Sequence, residues 1–136
     1  MSRPRVAAPL RREVWERASG RCEYCGTEEC FSPVAFHCEH VVAVQHGGET
    51  AAANLALSCP ACNFRKGTNL TAIDPDTAAV VSLFNPRRDR WIEHFERQHP
   101  RIAAKTAQGR ATAKLLDFNS PKRVASREFE RQILQP

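Results

Sequence analysis

The chain has 136 residues, 26% of them charged, and a formal net charge of +5, a length that supports one modest core with an extension and excludes two full ones. Charge is uneven, since residues 1–85 carry 8 Lys+Arg against 9 Asp+Glu while residues 86–136 carry 12 against 6, so the C-terminal third suits either a polyanion partner or a well-solvated face. No stretch approaches a membrane span, and Val6-Ala7-Ala8 before Pro9 falls far short of a secretory apolar region, so the six cysteines point to a reducing, cytoplasmic setting and to metal rather than disulfides.

Pro9 opens a predicted first helix over residues 9–19, with Leu10, Val14 and Ala18 as its inward stripe and Gly20 as its stop. Residues 34–44 are rich in β-branched and apolar side chains and read as a strand, broken by Gly47-Gly48. Leu55-Ala56-Leu57 reads as a short second strand. Ser58 is the expected N-cap of a short helix that carries Asn63, Arg65 and Lys66 and stops near Gly67. Asp74-Pro75-Asp76 marks a turn, and Ala78–Phe84 reads as a third strand or buried segment. Trp91, Ile92 and Phe95 recur at helical spacing, which predicts a helix ending by Pro100. Two more helices are predicted over 108–117 and 120–134, the last with Val124, Phe129 and Leu134 facing inward.

Cys22-x-x-Cys25 and Cys59-x-x-Cys62 are two knuckles separated by a long insert, the ligand set of one tetrahedral four-cysteine zinc site. Either pair alone has the spacing of a redox dithiol. With four protein ligands the metal has no open position, so it stabilises the fold and does no chemistry. Cys30 and Cys38 remain as small hydrophobes. Between and beside the knuckles lie Glu39-His40 and Asn63. A carboxylate, an imidazole and a carboxamide fastened in one small space are what a hydrolytic site needs to hold a hard cation and activate water.

These motifs resemble the HNH, or ββα-metal, nuclease family. The resemblance rests on Cys22-x-x-Cys25, Glu39-His40-Val41-Val42, His46-Gly47-Gly48, Asn54-Leu55-Ala56-Leu57 and Cys59-x-x-Cys62-Asn63-x-x-Lys66-Gly67, and covers residues 10–68. It implies that His40 is the general base, that Glu39 and Asn63 hold one Mg²⁺ or Mn²⁺, and that Asn54 braces the loop that orients His40. Many members carry Asp where this chain has Glu39, and the third motif position is Asn63 instead of His, an H-N-N variant also found in the family. His37 is a further metal or phosphate candidate, or else a strand histidine bonded to a neighbour. His46 is read as structural or as a phosphate contact. Lys66 and Arg65 on the short helix, and Arg87, Arg88 and Arg90 in the basic extension, are the candidate nucleic-acid contacts. The extension, through Leu83–Trp91 and Gly109–Thr112, also looks like the C-terminal part of some bacterial HNH proteins.

The expected fold is α+β: a small ββα-metal finger core over residues 9–68, stapled by the zinc site behind an N-terminal helix, with a basic, mainly helical extension over 69–136 packed on it. The expected activity is metal-dependent hydrolysis of DNA phosphodiesters, leaving 3′-hydroxyl and 5′-phosphate ends, in a monomer or a homodimer. Two rivals remain, a non-catalytic zinc-stabilised nucleic-acid-binding module and a redox dithiol protein.

Overall fold

In the computed structural model, which describes residues 5–134, helix α1 spans Ala8–Ala18 with a proline in its first turn and Val14 buried. It closes at Ser19 and Gly20, both in the left-handed region. A Cβ at Gly20 would also lie 2.7 Å from the Trp15 ring, so only glycine fits this exit. The chain forms two compact units. One comprises the described residues through Leu70 together with Asn85–Asp89; the other comprises Thr71–Phe84 and the described residues from Arg90 onward.

In the first unit, β1 (His37–His40) pairs antiparallel with β2 (Leu55–Ser58), with Glu39 opposite Ala56 and His40 opposite Leu55. All of β2 is buried. Arg17 of α1 donates to the Ala52 and Leu55 carbonyls, which holds the helix against the sheet. Helix α2 (Pro60–Lys66) follows directly. Together β1, β2 and α2 make the expected ββα order. Strand β1 is shorter than the apolar run 34–44 predicts. The Val41 amide donates to the Asn54 carbonyl and the Val42 amide to Asn54 Oδ1, so a loop takes over the bonds a longer strand would need. The cap of α2 also differs from expectation: Cys59 is the N-cap, its sulfur accepting from the Cys62 amide, while Ser58 stays in β2.

The second unit holds two hairpins and three helices: β3 (Thr71–Ile73) with β4 (Val80–Ser82), β5 (Phe95–Gln98) with β6 (Arg101–Ala104), then α3 (Trp91–His94), α4 (Ala107–Leu115) and α5 (Pro121–Leu134). Its core gathers Phe84, Phe95, Ile102, Leu116 and Phe118. The helix predicted up to Pro100 ends at His94 instead. Phe95 is fully buried, with Phe84, Trp91 and Phe118 ring centroids at 5.5, 5.1 and 5.5 Å, and it opens β5 opposite Ala104. Tertiary packing has overridden the helical spacing here. In α5 the buried side chain is Arg127, which donates to the Pro100 carbonyl, while Phe129 and Leu134 are exposed rather than inward.

Candidate metal centre and catalytic cluster

The four knuckle cysteines are buried, and their sulfurs all lie within 4.8 Å of one another. Cys25 Sγ and Cys59 Sγ are 3.7 Å apart, close to the edge of about 3.8 Å that a tetrahedron with ~2.3 Å Zn–S bonds requires. The first knuckle turns tightly because Gly26, at φ 82°, donates its amide to the Cys22 carbonyl. Cys62 lies in the first turn of α2, capped by Cys59. Burial first, and then hydrogen bonds within the cluster, push the Cys22 thiol well up, whereas a hydrogen bond from Cys22 pulls Cys59 down. Thiols sharing protons in this way form the donor set from which a metal displaces those protons. All four sulfurs converge on one point rather than pairing within each knuckle, which favours a metal over the dithiol reading.

Glu39 points inward from β1. Its Oε1 lies 2.9 Å from Lys66 Nζ, and the same ammonium donates to the Val41 carbonyl at 2.9 Å. Lys66 is therefore buried and engaged by protein groups, not exposed as the phosphate contact expected from sequence. Tyr24, between the two knuckle cysteines, is fully buried. Burial first and the Glu39 carboxylate next push its phenol well up, which places tyrosine, glutamate and lysine in one buried cluster against the sulfur site. Glu39 and Asn63 carry the oxygen donors that a hard cation keeping several waters takes. The Lys66 ammonium is the positive charge with which such a cation would share Glu39.

His40 lies on the opposite face of β1 from Glu39, half-buried where Glu39 is buried. Its Nε2 meets Thr50 Oγ1 at 2.9 Å. Thr50 sits in the loop that Asn54 braces: Asn54 Oδ1 accepts from the Val42 amide, and Nδ2 donates to the Val42 and Glu49 carbonyls, each at 2.9 Å. A Cβ at Gly48 would fall 1.7 Å from the Val42 carbonyl oxygen, so the second glycine of the pair is a steric requirement of this loop. Thr50 has no spacing signature in the sequence and emerges only from the fold.

Asn63 is half-buried on α2, three residues before Lys66 and so on the same helix face. Arg65 is exposed on the other side of that helix. His37 is exposed on the wall of an open cleft of about 620 Å³ that it shares with Arg11 and Arg12, surroundings that suit an anion better than a cation. His46 is exposed in the turn before Gly47. Arg87 is partly buried and paired with Glu23 of the first knuckle; burial first, and the Arg17 charge next, bring its pKa down to about 10. Glu23 also accepts from the Leu57 amide, so Arg87 braces the knuckle and β2. Arg88 and Arg90 are exposed and lie by Asp89 and Glu93 respectively.

Residues 22–69 match the family model described as HNH endonuclease. No curated protein and no solved structure matches the chain. Among the described residues, no helix is long and apolar enough to cross a membrane. The matched span opens at the first cysteine of the sulfur cluster and runs through β1, β2 and α2 to Asn69. The part of the chain that folds around its four cysteines is thus similar to an HNH endonuclease domain.

Proposed function

We propose that this protein is a metal-dependent endonuclease that hydrolyses DNA phosphodiester bonds. The observation that carries the reading is the 2.9 Å contact between His40 Nε2 and Thr50 Oγ1, in a loop that Asn54 holds by three hydrogen bonds. In this reading Nε2–H donates to Thr50 Oγ1, which leaves Nδ1 as the acceptor nitrogen. Nδ1 then takes the proton from the water that attacks phosphorus in line, the task of a general base. Glu39 and Asn63 are the residues that would hold one Mg²⁺ or Mn²⁺, which supplies charge neutralisation at the phosphate and the leaving 3′ oxygen. The products are 3′-hydroxyl and 5′-phosphate ends.

The four cysteines hold a structural zinc in this reading, and their thiolates suit a reducing compartment such as the cytoplasm. Arg65, Arg88 and Arg90 supply salt-sensitive backbone contacts to DNA. One site per monomer cuts one strand per encounter. A second reading, a non-catalytic zinc-stabilised nucleic-acid-binding module, is favoured by the Lys66 ammonium that already neutralises Glu39.

Supercoiled plasmid incubated with Mg²⁺ or Mn²⁺, with and without EDTA, separates the two. Metal-dependent nicking that disappears in His40→Ala is the expected result. Binding without nicking across metals and substrates would leave the module reading in place.

A further inference from the structure

Helix α2 is mounted so that it cannot turn. Cys59 and Cys62 hold its first turn in the sulfur cluster, and Lys66 ties its last turn to Glu39 and to the Val41 carbonyl. Opposite these anchors stands Phe64, 86% exposed and the most exposed large hydrophobic side chain among the described residues. The stabilising effect of a phenylalanine comes from its burial, so this ring contributes nothing to the fold that carries it. Single exposed apolar residues are ordinary on protein surfaces. Phe64 differs in its rigid mount and in its neighbours: Asn63, a proposed ligand of the cation, precedes it, and the exposed cation Arg65 follows it.

Adjacent Cα atoms lie about 3.8 Å apart, and DNA advances about 3.4 Å per nucleotide along one strand. The Phe64 side chain projects about 100° around the helix from that of Asn63, so a duplex lying across α2 with a phosphate at Asn63 meets the ring a few nucleotides from the bond to be cut. We propose that Phe64 is a base-contacting residue, its ring entering the DNA beside the scissile phosphate and stacking on a nucleobase while Arg65 holds a neighbouring phosphate. The inference rests on the nuclease reading for its location next to Asn63, though not on hydrolysis itself. An inserted ring unstacks a base step, and pyrimidine–purine steps unstack most readily. Cleavage should accordingly favour such steps and mismatches over stiff A-tracts.

The test uses the full chain with its zinc in place, in buffer without added Mg²⁺ or Mn²⁺, and a short duplex carrying 2-aminopurine at a central TpA step, whose emission rises when the base unstacks. Binding should raise emission several-fold. Phe64→Ala should abolish that rise and weaken binding about 5- to 100-fold, with an unchanged melting temperature because the ring is outside the core. Phe64→Trp should restore both. Arg65→Ala should weaken binding while leaving the emission per bound complex intact. If Phe64→Ala matches the parent protein in emission and affinity, the proposal is overturned. It is equally overturned if the only loss is self-association of the protein, since the ring then packs on a second copy. Plasmid nicking by the unsubstituted protein distinguishes the two failures. Nicking without any dependence on Phe64 sinks this inference alone, and Phe64-dependent emission without nicking sinks only the catalytic reading. Absence of DNA binding would sink both.

Discussion

Lys66 Nζ lies 2.9 Å from Glu39 Oε1, with the two side chains 2% and 4% exposed. This buried pair joins the last turn of α2 to β1 and so sets the distance between the two elements that carry Asn63 and His40. A carboxylate neutralised in this way is held in one place, and any cation must share it with an ammonium.

Removing one member of the pair leaves a buried charge. Lys66→Met should cost about 3–5 kcal/mol of stability, read as a fall in the urea midpoint at constant slope. Glu39→Leu added to it should recover a large part, because the charge left behind is then gone. A single substitution costing less than about 1 kcal/mol would show that water reaches the pair.

The sulfur cluster should retain one equivalent of zinc through gel filtration. Chelation, or Cys59→Ser, should unfold the first unit, because binding to a four-thiolate site is folding energy worth about 10–16 kcal/mol in small zinc domains. Hydrogen exchange of the β1 and β2 amides reports this directly. Protection that survives complete metal removal would rule out the clamp.

In the nuclease reading Thr50, 2.9 Å from His40 Nε2, is a positioning residue that acts through His40. Thr50→Val should lower the nicking rate about ten- to a hundredfold, within the range a general base contributes. It should also move the apparent pKa in the rate profile, while Thr50→Ser keeps both. A Val variant with wild-type rate and profile would remove Thr50 from the site.

Asn54→Ala deletes three hydrogen bonds to the loop, two of them to Val42. At about 1 kcal/mol each, the loss should reach about 2–3 kcal/mol, with faster exchange at the Val42 amide. An unaltered Val42 amide would mean the loop holds itself.

In the second unit, Asp74 is fully buried and accepts both Nε and Nη2 of Arg110 at 2.9 Å, as well as Thr77 Oγ1 and the Asp76 amide. The Arg110 hydrogen bonds first, then those of Thr77 and Asp76, hold its carboxyl well below the usual carboxylate range against the opposing effect of burial. A depressed carboxyl stabilises the fold above the unfolded value of about 4, and that contribution fades as pH falls towards the folded one. The melting-temperature difference between wild type and Asp74→Asn should be full at pH 5–7 and shrink below about pH 4. A difference constant with pH would show that the carboxylate charge is not what Arg110 recognises.

Much of the first unit was legible because its signals are local. A Cys-x-x-Cys knuckle, a glycine that must turn, and an apolar run of period two each act within a few residues. The chain order β1, β2, α2 follows from them. The helix expected through Phe95 failed for the opposite reason: its spacing is helical, but the ring is claimed by a core made of residues far away in the chain. The same holds for α5, where Arg127 rather than Phe129 is buried.

By itself the sequence determined the four cysteines of the candidate metal centre, the presence of His40, Asn54 and Asn63, and the family that residues 22–69 resemble. Only the tertiary structure decided what those groups touch. Lys66 meets Glu39 across 27 residues, Thr50 meets His40 across 10, and Arg87 meets Glu23 across 64. Sheet register and helix face set such pairings, and a residue's type and spacing carry no record of which distant partner will desolvate and neutralise it. Two expected DNA contacts, Lys66 and Arg87, became braces for that reason, while Phe64, ordinary in the sequence, was left alone in water beside the site.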